Sequence, residues 1–103
     1  MHCDFCSGPP TFVYVIPPGF LPPIEDGSIR IDQVDDGRWS ACLDCAAIID
    51  RQDLAALVKR VIGLGAASGV PGLHDRNGRR DYARILTRMY RAVFSYPLTK
   101  ENL

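Results

Sequence analysis

Four cysteines in two matched pairs constrain this chain more than any other feature. Cys3-Asp4-Phe5-Cys6 opens the sequence, thirty-five residues intervene, and Cys42-Leu43-Asp44-Cys45 follows. A Cys-x-x-Cys turn presents two sulfurs to one centre, and two such turns complete the four-thiolate shell that structural zinc takes. The long spacer is no obstacle, because loop length adds little entropy cost and a hairpin between the pairs returns the chain to its start. The expected ligands are therefore Cys3, Cys6, Cys42 and Cys45, holding a structural Zn2+ with no coordination position left open. A thiol–disulfide switch is the competing chemistry. It needs only one pair on a thioredoxin-like β-α frame, which the sequence does not offer. His2 beside Cys3 and His74 in a glycine-rich stretch are read as solvated side chains.

A chain of 103 residues fits one folded unit. Such a unit buries only about two-thirds of its unfolded surface, so a metal staple adds a real share of stability. The first ten residues, MHCDFCSGPP, contain neither a basic start nor an apolar run, and no apolar stretch reaches the ~20 residues of a membrane-spanning helix. The expectation is a cytoplasmic protein with no membrane partner.

Between the pairs, Thr11–Ile16 (TFVYVI) is β-branched or aromatic and bounded by prolines, as a strand is. Residues 17–27 hold four prolines and two glycines and predict a stiff loop without a regular ladder. Ser28–Val34 alternates apolar with polar as a second strand, Asp35-Asp36-Gly37 turns, and Arg38–Ala41 returns toward Cys42 with Trp39 placed to cover the metal. Gly8 is expected to supply the positive φ of the first metal-binding turn.

From Leu43 onward the pattern is helical. Cys45 falls in a first turn, and Leu54, Leu57, Val58, Val61 and Ile62 form one buried face, with Asp50 or Asp53 as a cap between two helical pieces, so that one kinked helix or two are expected. Residues 63–78 hold five glycines, a proline and an Asn-Gly pair, which predicts a linker. Residues 79–96 carry the clearest amphipathic pattern, with Arg80, Arg84, Arg88 and Arg91 on one stripe and Tyr82, Ile85, Leu86, Met89, Val93 and Tyr96 opposite. Pro97 stops that helix, and the last six residues are expected to fray.

The fold class expected is small α+β: a zinc-stapled β-hairpin followed by two or three helices. A knuckle, a hairpin and a second Cys-x-x-Cys at a helix start resemble the treble-clef zinc fingers, with the zinc ribbon as the alternative. The organisation expected is a zinc-binding β-hairpin/helix module over 1–62, a Gly-rich linker over 63–78, and a basic helix over 79–97 packed into the same domain. Cys-Asp-Phe-Cys-Ser, a Pro-rich stretch, Trp-Ser-Ala-Cys-Leu-Asp-Cys-Ala-Ala-Ile-Ile-Asp and Asp53–Leu57 also resemble small uncharacterised four-cysteine zinc-finger proteins of actinobacteria and their phages. That resemblance covers roughly residues 1–60 and implies the metal site, not an activity.

Zero net charge conceals a strong polarity. Residues 1–58 hold nine acids and three bases, and residues 59–103 hold nine bases and three acids. Such polarity suggests a charged partner or a homodimer. The favoured role is a non-catalytic module binding an unknown protein as adaptor or regulator, with Phe20, Tyr90, Phe94 and Tyr96 as anchors. The alternative is nucleic-acid binding through Arg80, Arg84, Arg88 and Arg91, aided by Tyr82 or Tyr90. The bland reading makes the stripe a solvated face. Nucleophile-elbow, HExxH and P-loop patterns are missing, so no enzyme is expected.

Overall fold

The computed structural model describes residues 2–16, 24–26, 28–31 and 37–103. Strand β1 (Phe12–Val15) follows the first cysteine pair, and β4 (Arg38–Ala41) leads into the second. They pair antiparallel, Phe12 opposite Ala41 and Val15 opposite Arg38, so the hairpin brings the two cysteine pairs to the same end. Val13, Tyr14 and Ile16 are buried, as this β-branched and aromatic run requires. Gly37 takes φ 79 where the chain re-enters β4, and its carbonyl accepts from the Ile16 amide at 2.8 Å.

Three sheet expectations need correction. The alternation of Ser28–Val34 predicts a strand of the hairpin, yet β3 (Ile29–Ile31) pairs with β2 (Ile24–Asp26) in a separate two-stranded ribbon. Strand β2 lies within the stretch expected to carry no ladder, because its residues stand beyond the last proline and are free to donate. The chain end does not fray either. Thr99–Asn102 forms β5 on the other edge of β1, giving a sheet ordered β4-β1-β5. Lys100 secures it, with Nζ 2.6 Å from Asp50 Oδ2 and 4.1 Å above the Phe12 ring. Residues 17–23, Gly27 and 32–36 lie outside the described residues, and with them most of the Pro-rich stretch, Phe20, Val34 and the Asp35-Asp36 turn.

Helix α1 (Leu43–Asp50) and α2 (Leu54–Ala67) are separate, joined through Gln52 at φ 57. Asp53 is the cap between them, accepting from the Ala56 amide at 3.1 Å. Leu57 and Val58 are buried, and Leu54, Val61 and Ile62 pack beside them, as their spacing predicts.

The linker is shorter than its composition suggests. Helix α2 runs through Gly63 and Gly65, and α3 (Arg76–Phe94) begins before Arg79, capped by Asp75. The Asn77-Gly78 pair is helical rather than a turn. Gly78 is there for proximity, since a Cβ at that position would overlap the Gly72 carbonyl oxygen.

Helix α3 packs on α2 and sends Tyr90 and Val93 into the interior. One hydrophobic cluster unites Phe5 and the cysteines with Tyr14, Ile49, Leu57 and Tyr90. The Phe5 ring meets Tyr90 edge-on at 5.2 Å, and Tyr90 stacks on Phe94 at 6.3 Å. Tyr90 is thus a core residue and not a surface anchor or stacking platform, and Phe94 packs against the same cluster. The small α+β fold expected from the sequence is the fold observed, a three-stranded antiparallel sheet with three helices around the cysteines among the described residues.

Candidate metal centre

The first sulfur pair sits on a tight loop. Cys3 donates its amide to the Gly8 carbonyl at 2.7 Å, and Ser7 donates to the Cys3 carbonyl at 2.9 Å. Ser7, not Gly8, takes the left-handed turn, at φ 67. Gly8 lies beside the cage, where a Cβ would stand 3.4 Å from Cys6 Sγ, an ordinary van der Waals contact. The Cys6 amide lies 3.5 Å from Cys3 Sγ, as a knuckle requires. Asp4 ties this loop to β4: its amide donates to Ser40 O at 2.8 Å, and its carboxylate accepts from the Ser40 amide at 2.7 Å.

The second pair is built by a helix start. Cys42 caps α1 directly after β4, and its sulfur accepts the Cys45 amide at 3.4 Å. Unpaired first-turn amides favour negative charge on that sulfur. Cys45 follows in the first helical turn, as the sequence pattern predicts.

Both pairs converge. The four Sγ atoms lie within 4.8 Å of one another, with Cys6 and Cys42 at 3.5 Å. Cys3, Cys42 and Cys45 are buried and Cys6 partly so. A 3.5 Å separation is far beyond the ~2.05 Å of a disulfide, and the cysteines are free. A tetrahedral metal with ~2.3 Å bonds to sulfur needs sulfurs about 3.8 Å apart. The observed cage brackets that spacing, so the four cysteines are positioned to hold a metal ion. Trp39 packs on Phe5 at 5.8 Å within the surrounding apolar cluster. His2 and His74 are exposed, and neither joins the cluster of ligands.

The four sulfurs differ in how readily each gives up its proton. Cys3 is pulled down to about 4, first by the hydrogen bond from the Cys45 thiol, against the opposing effect of burial. That same hydrogen bond, with burial, keeps the proton on Cys45 and pushes its thiol up. Burial alone would raise Cys42, but the Cys45 amide, the neighbouring thiols and Arg60 outweigh it and hold Cys42 below its ordinary value. A bound dication would remove this rivalry by holding every sulfur as thiolate.

Arg60 is the site residue that sequence reasoning missed. It projects from α2 with one terminal nitrogen 3.8 Å from Cys42 Sγ and 3.5 Å from Asp44 Oδ2. Its Nε–H is buried and has no partner among the described residues. A guanidinium so placed is stabilised only by strong nearby negative charge, and four thiolates around a dication supply a net charge of about −2. The Cys45 and Cys42 sulfurs accordingly raise its hold on the proton. Nothing in the sequence marks it, since Arg60 stands between Lys59 and Val61 at the border of the apolar face.

The arginine stripe is exposed but not uniform. Arg84 pairs with Asp81 at 3.2 Å, and Arg88 donates to the Glu25 carbonyl, tying α3 to β2. Part of the charge polarity closes within the chain, through Asp44–Arg60 and Asp50–Lys100.

The chain matches no family model, no curated protein and no solved structure. Among the described residues, no helix is long and apolar enough to cross a membrane.

Proposed function

We propose that this protein is a non-catalytic zinc-finger module of treble-clef type, in which one structural Zn2+ fastens a scaffold that binds another protein as an adaptor or regulator. The observation that carries the reading is closure of the sulfur cage. With four thiolates facing one point and three of them buried, the protein fills every position of a tetrahedral ion and leaves none for substrate. Four soft donors suit zinc, which asks for no geometry beyond the tetrahedron they form. The treble-clef assignment rests on the order of parts: a knuckle at Cys3–Gly8, the β1/β4 hairpin, and a helix whose cap and first turn hold Cys42 and Cys45.

A protein partner is favoured over nucleic acid by what surrounds the basic helix. Tyr90 is buried, Arg84 is paired, and Arg88 is engaged by main chain, which weakens the stripe as a phosphate reader. Affinity capture from extract of the native cell, with and without nuclease, tests the reading. The same protein retained in both arms supports it. Retention that disappears with nuclease overturns it in favour of nucleic-acid binding, the alternative role of Arg80, Arg84, Arg88 and Arg91.

A further inference from the structure

The cations that stand ready for a partner overlap the expected stripe only at Arg80, while Lys59, Arg76 and Arg79 lie outside it. A trough of about 670 Å³ opens between α2 and α3, and Lys59, Arg76, Arg79 and Arg80 line it. No acidic side chain joins them in that lining. Lys59, Arg76 and Arg80 are exposed and make no ion pair or hydrogen bond among the described residues, while Arg79 donates to the Leu73 carbonyl at 3.0 Å.

Between the cations the lining is apolar and small: Ala55, Val58, Ile62 and Gly63 from α2, and Ala83 from α3. The hydroxyl of Thr87 is turned to its own helix, donating to Ala83 O at 2.6 Å. A space with basic edges and an apolar bed between two helices has a definite complement. It fits a helix with a narrow apolar stripe flanked by carboxylates. Arg76 and Arg80 lie one helical turn apart, about 5–6 Å along the surface, which is the spacing of acids at i and i+4 on an opposing helix.

A nucleic-acid strand fits less well. Its phosphates would find the cations, but its bases would meet neither an aromatic face nor a free donor or acceptor along the bed. Tyr82, an exposed ring on α3, lines a different groove with Phe5 and Leu86.

We infer that this trough is the docking site for an acidic amphipathic helix of a partner protein. The inference rests on the adaptor reading above and names the surface and the chemistry that reading leaves open.

The probe is a fluorescently labelled helical peptide with Glu repeating at i and i+4 and Leu between them, titrated into the full zinc-loaded chain and followed by anisotropy. Binding should be saturable and should weaken as salt rises. Changing Lys59, Arg76 and Arg80 together to Glu should reduce it by about tenfold or more. A control peptide of equal charge, with Ser for Leu, should bind about tenfold more weakly than the probe. Gly63→Leu is the second variant, chosen because a Cβ there meets nothing within 4 Å. It should block the peptide while leaving thermal stability at or above that of the wild type. Arg84→Gln, outside the trough, should change affinity far less than the triple variant does.

Binding of the probe that ignores both the triple change and Gly63→Leu would overturn the inference. So would a labelled DNA duplex or RNA strand that binds through these same cations while the peptide does not. The extract capture separates the two levels of the argument. A protein partner still retained by the triple variant removes the trough and leaves the adaptor reading intact, whereas no protein retained by the wild type removes both.

Discussion

Replacing Arg60 with Met keeps the apolar stem and removes the guanidinium beside the cage. Two unit charges 3.8 Å apart, the distance from Arg60 to Cys42 Sγ, attract by about 4 kcal/mol at an effective dielectric near 20. The desolvated group with its unpartnered Nε–H returns part of that, roughly half, because such a donor costs ~1–3 kcal/mol. The remainder, about 2 kcal/mol, corresponds to a roughly thirtyfold loss of zinc affinity. It agrees with the 10–100-fold range typical of groups that act on metal ligands from outside the first ring. Competition with a chromophoric chelator at fixed pH measures the loss directly, and Arg60→Lys should recover part of it by restoring charge without the fork. A change below about twofold in Arg60→Met, with circular dichroism unchanged, would refute the reasoning.

Three further outcomes are expected. Tyr90→Ala should cost about 3–5 kcal/mol in chemical unfolding, since it removes the ring joining α3 to Phe5, whereas Tyr90→Phe keeps both ring pairs and should cost under ~1 kcal/mol; a small effect of the alanine would mean that α3 does not depend on this contact. Gly63→Ala and Gly78→Ala should have opposite signs in thermal unfolding, the first stabilising by about 0.5–1 kcal/mol in open space and the second destabilising by about 1–3 kcal/mol through overlap with the Gly72 carbonyl. Asp50 and Tyr14 set a pH window: desolvation raises the Asp50 carboxyl, but hydrogen bonds from Lys100 and Tyr14 outweigh it and hold it below the ordinary carboxylate range. That contribution is present above about pH 4 and lost as the pH falls further, while burial and then Asp50 raise the Tyr14 phenol, whose contribution is lost as the pH climbs above about 10. Lys100→Met should therefore cost up to about 1 kcal/mol near neutrality in a pair this exposed, with the difference from wild type shrinking below about pH 4; a difference constant down to about pH 2 would rule out the carboxylate as its source.

The cage was legible because Cys-x-x-Cys is a local motif and because β1 and β4 are strongly patterned strands that return the chain to its start. What escaped notice depends on tertiary contact. Thr99–Asn102 shows no alternation, since every residue of β5 is exposed, and its ladder is supplied by β1. Gly65 resembles a helix breaker in sequence, yet a Cβ there would stand 2.8 Å from Leu73 Cδ1, so the bare residue lets the connection after α2 lie against the helix. On α3 the sequence pattern puts Tyr82 on the dry face and leaves Tyr90 outside it. Tyr90 is 2% exposed and Tyr82 41%. At about 100° per residue Tyr90 lies only about 40° from Leu86, so periodicity contained the answer, and the polar hydroxyl obscured it by making the ring look like an anchor for a partner. The basic trough was invisible for a different reason. Lys59 and Arg76 come from different helices, and only the packing of α2 on α3 makes them neighbours.

X-ray absorption at the zinc edge of pure, untagged protein tests the central claim most directly. One zinc per chain should be found, surrounded by four sulfur scatterers at ~2.3 Å with no nitrogen or oxygen in the first shell. Absence of stoichiometric metal, or a shell in which light atoms replace one or more sulfurs, would contradict the closed cage formed by Cys3, Cys6, Cys42 and Cys45.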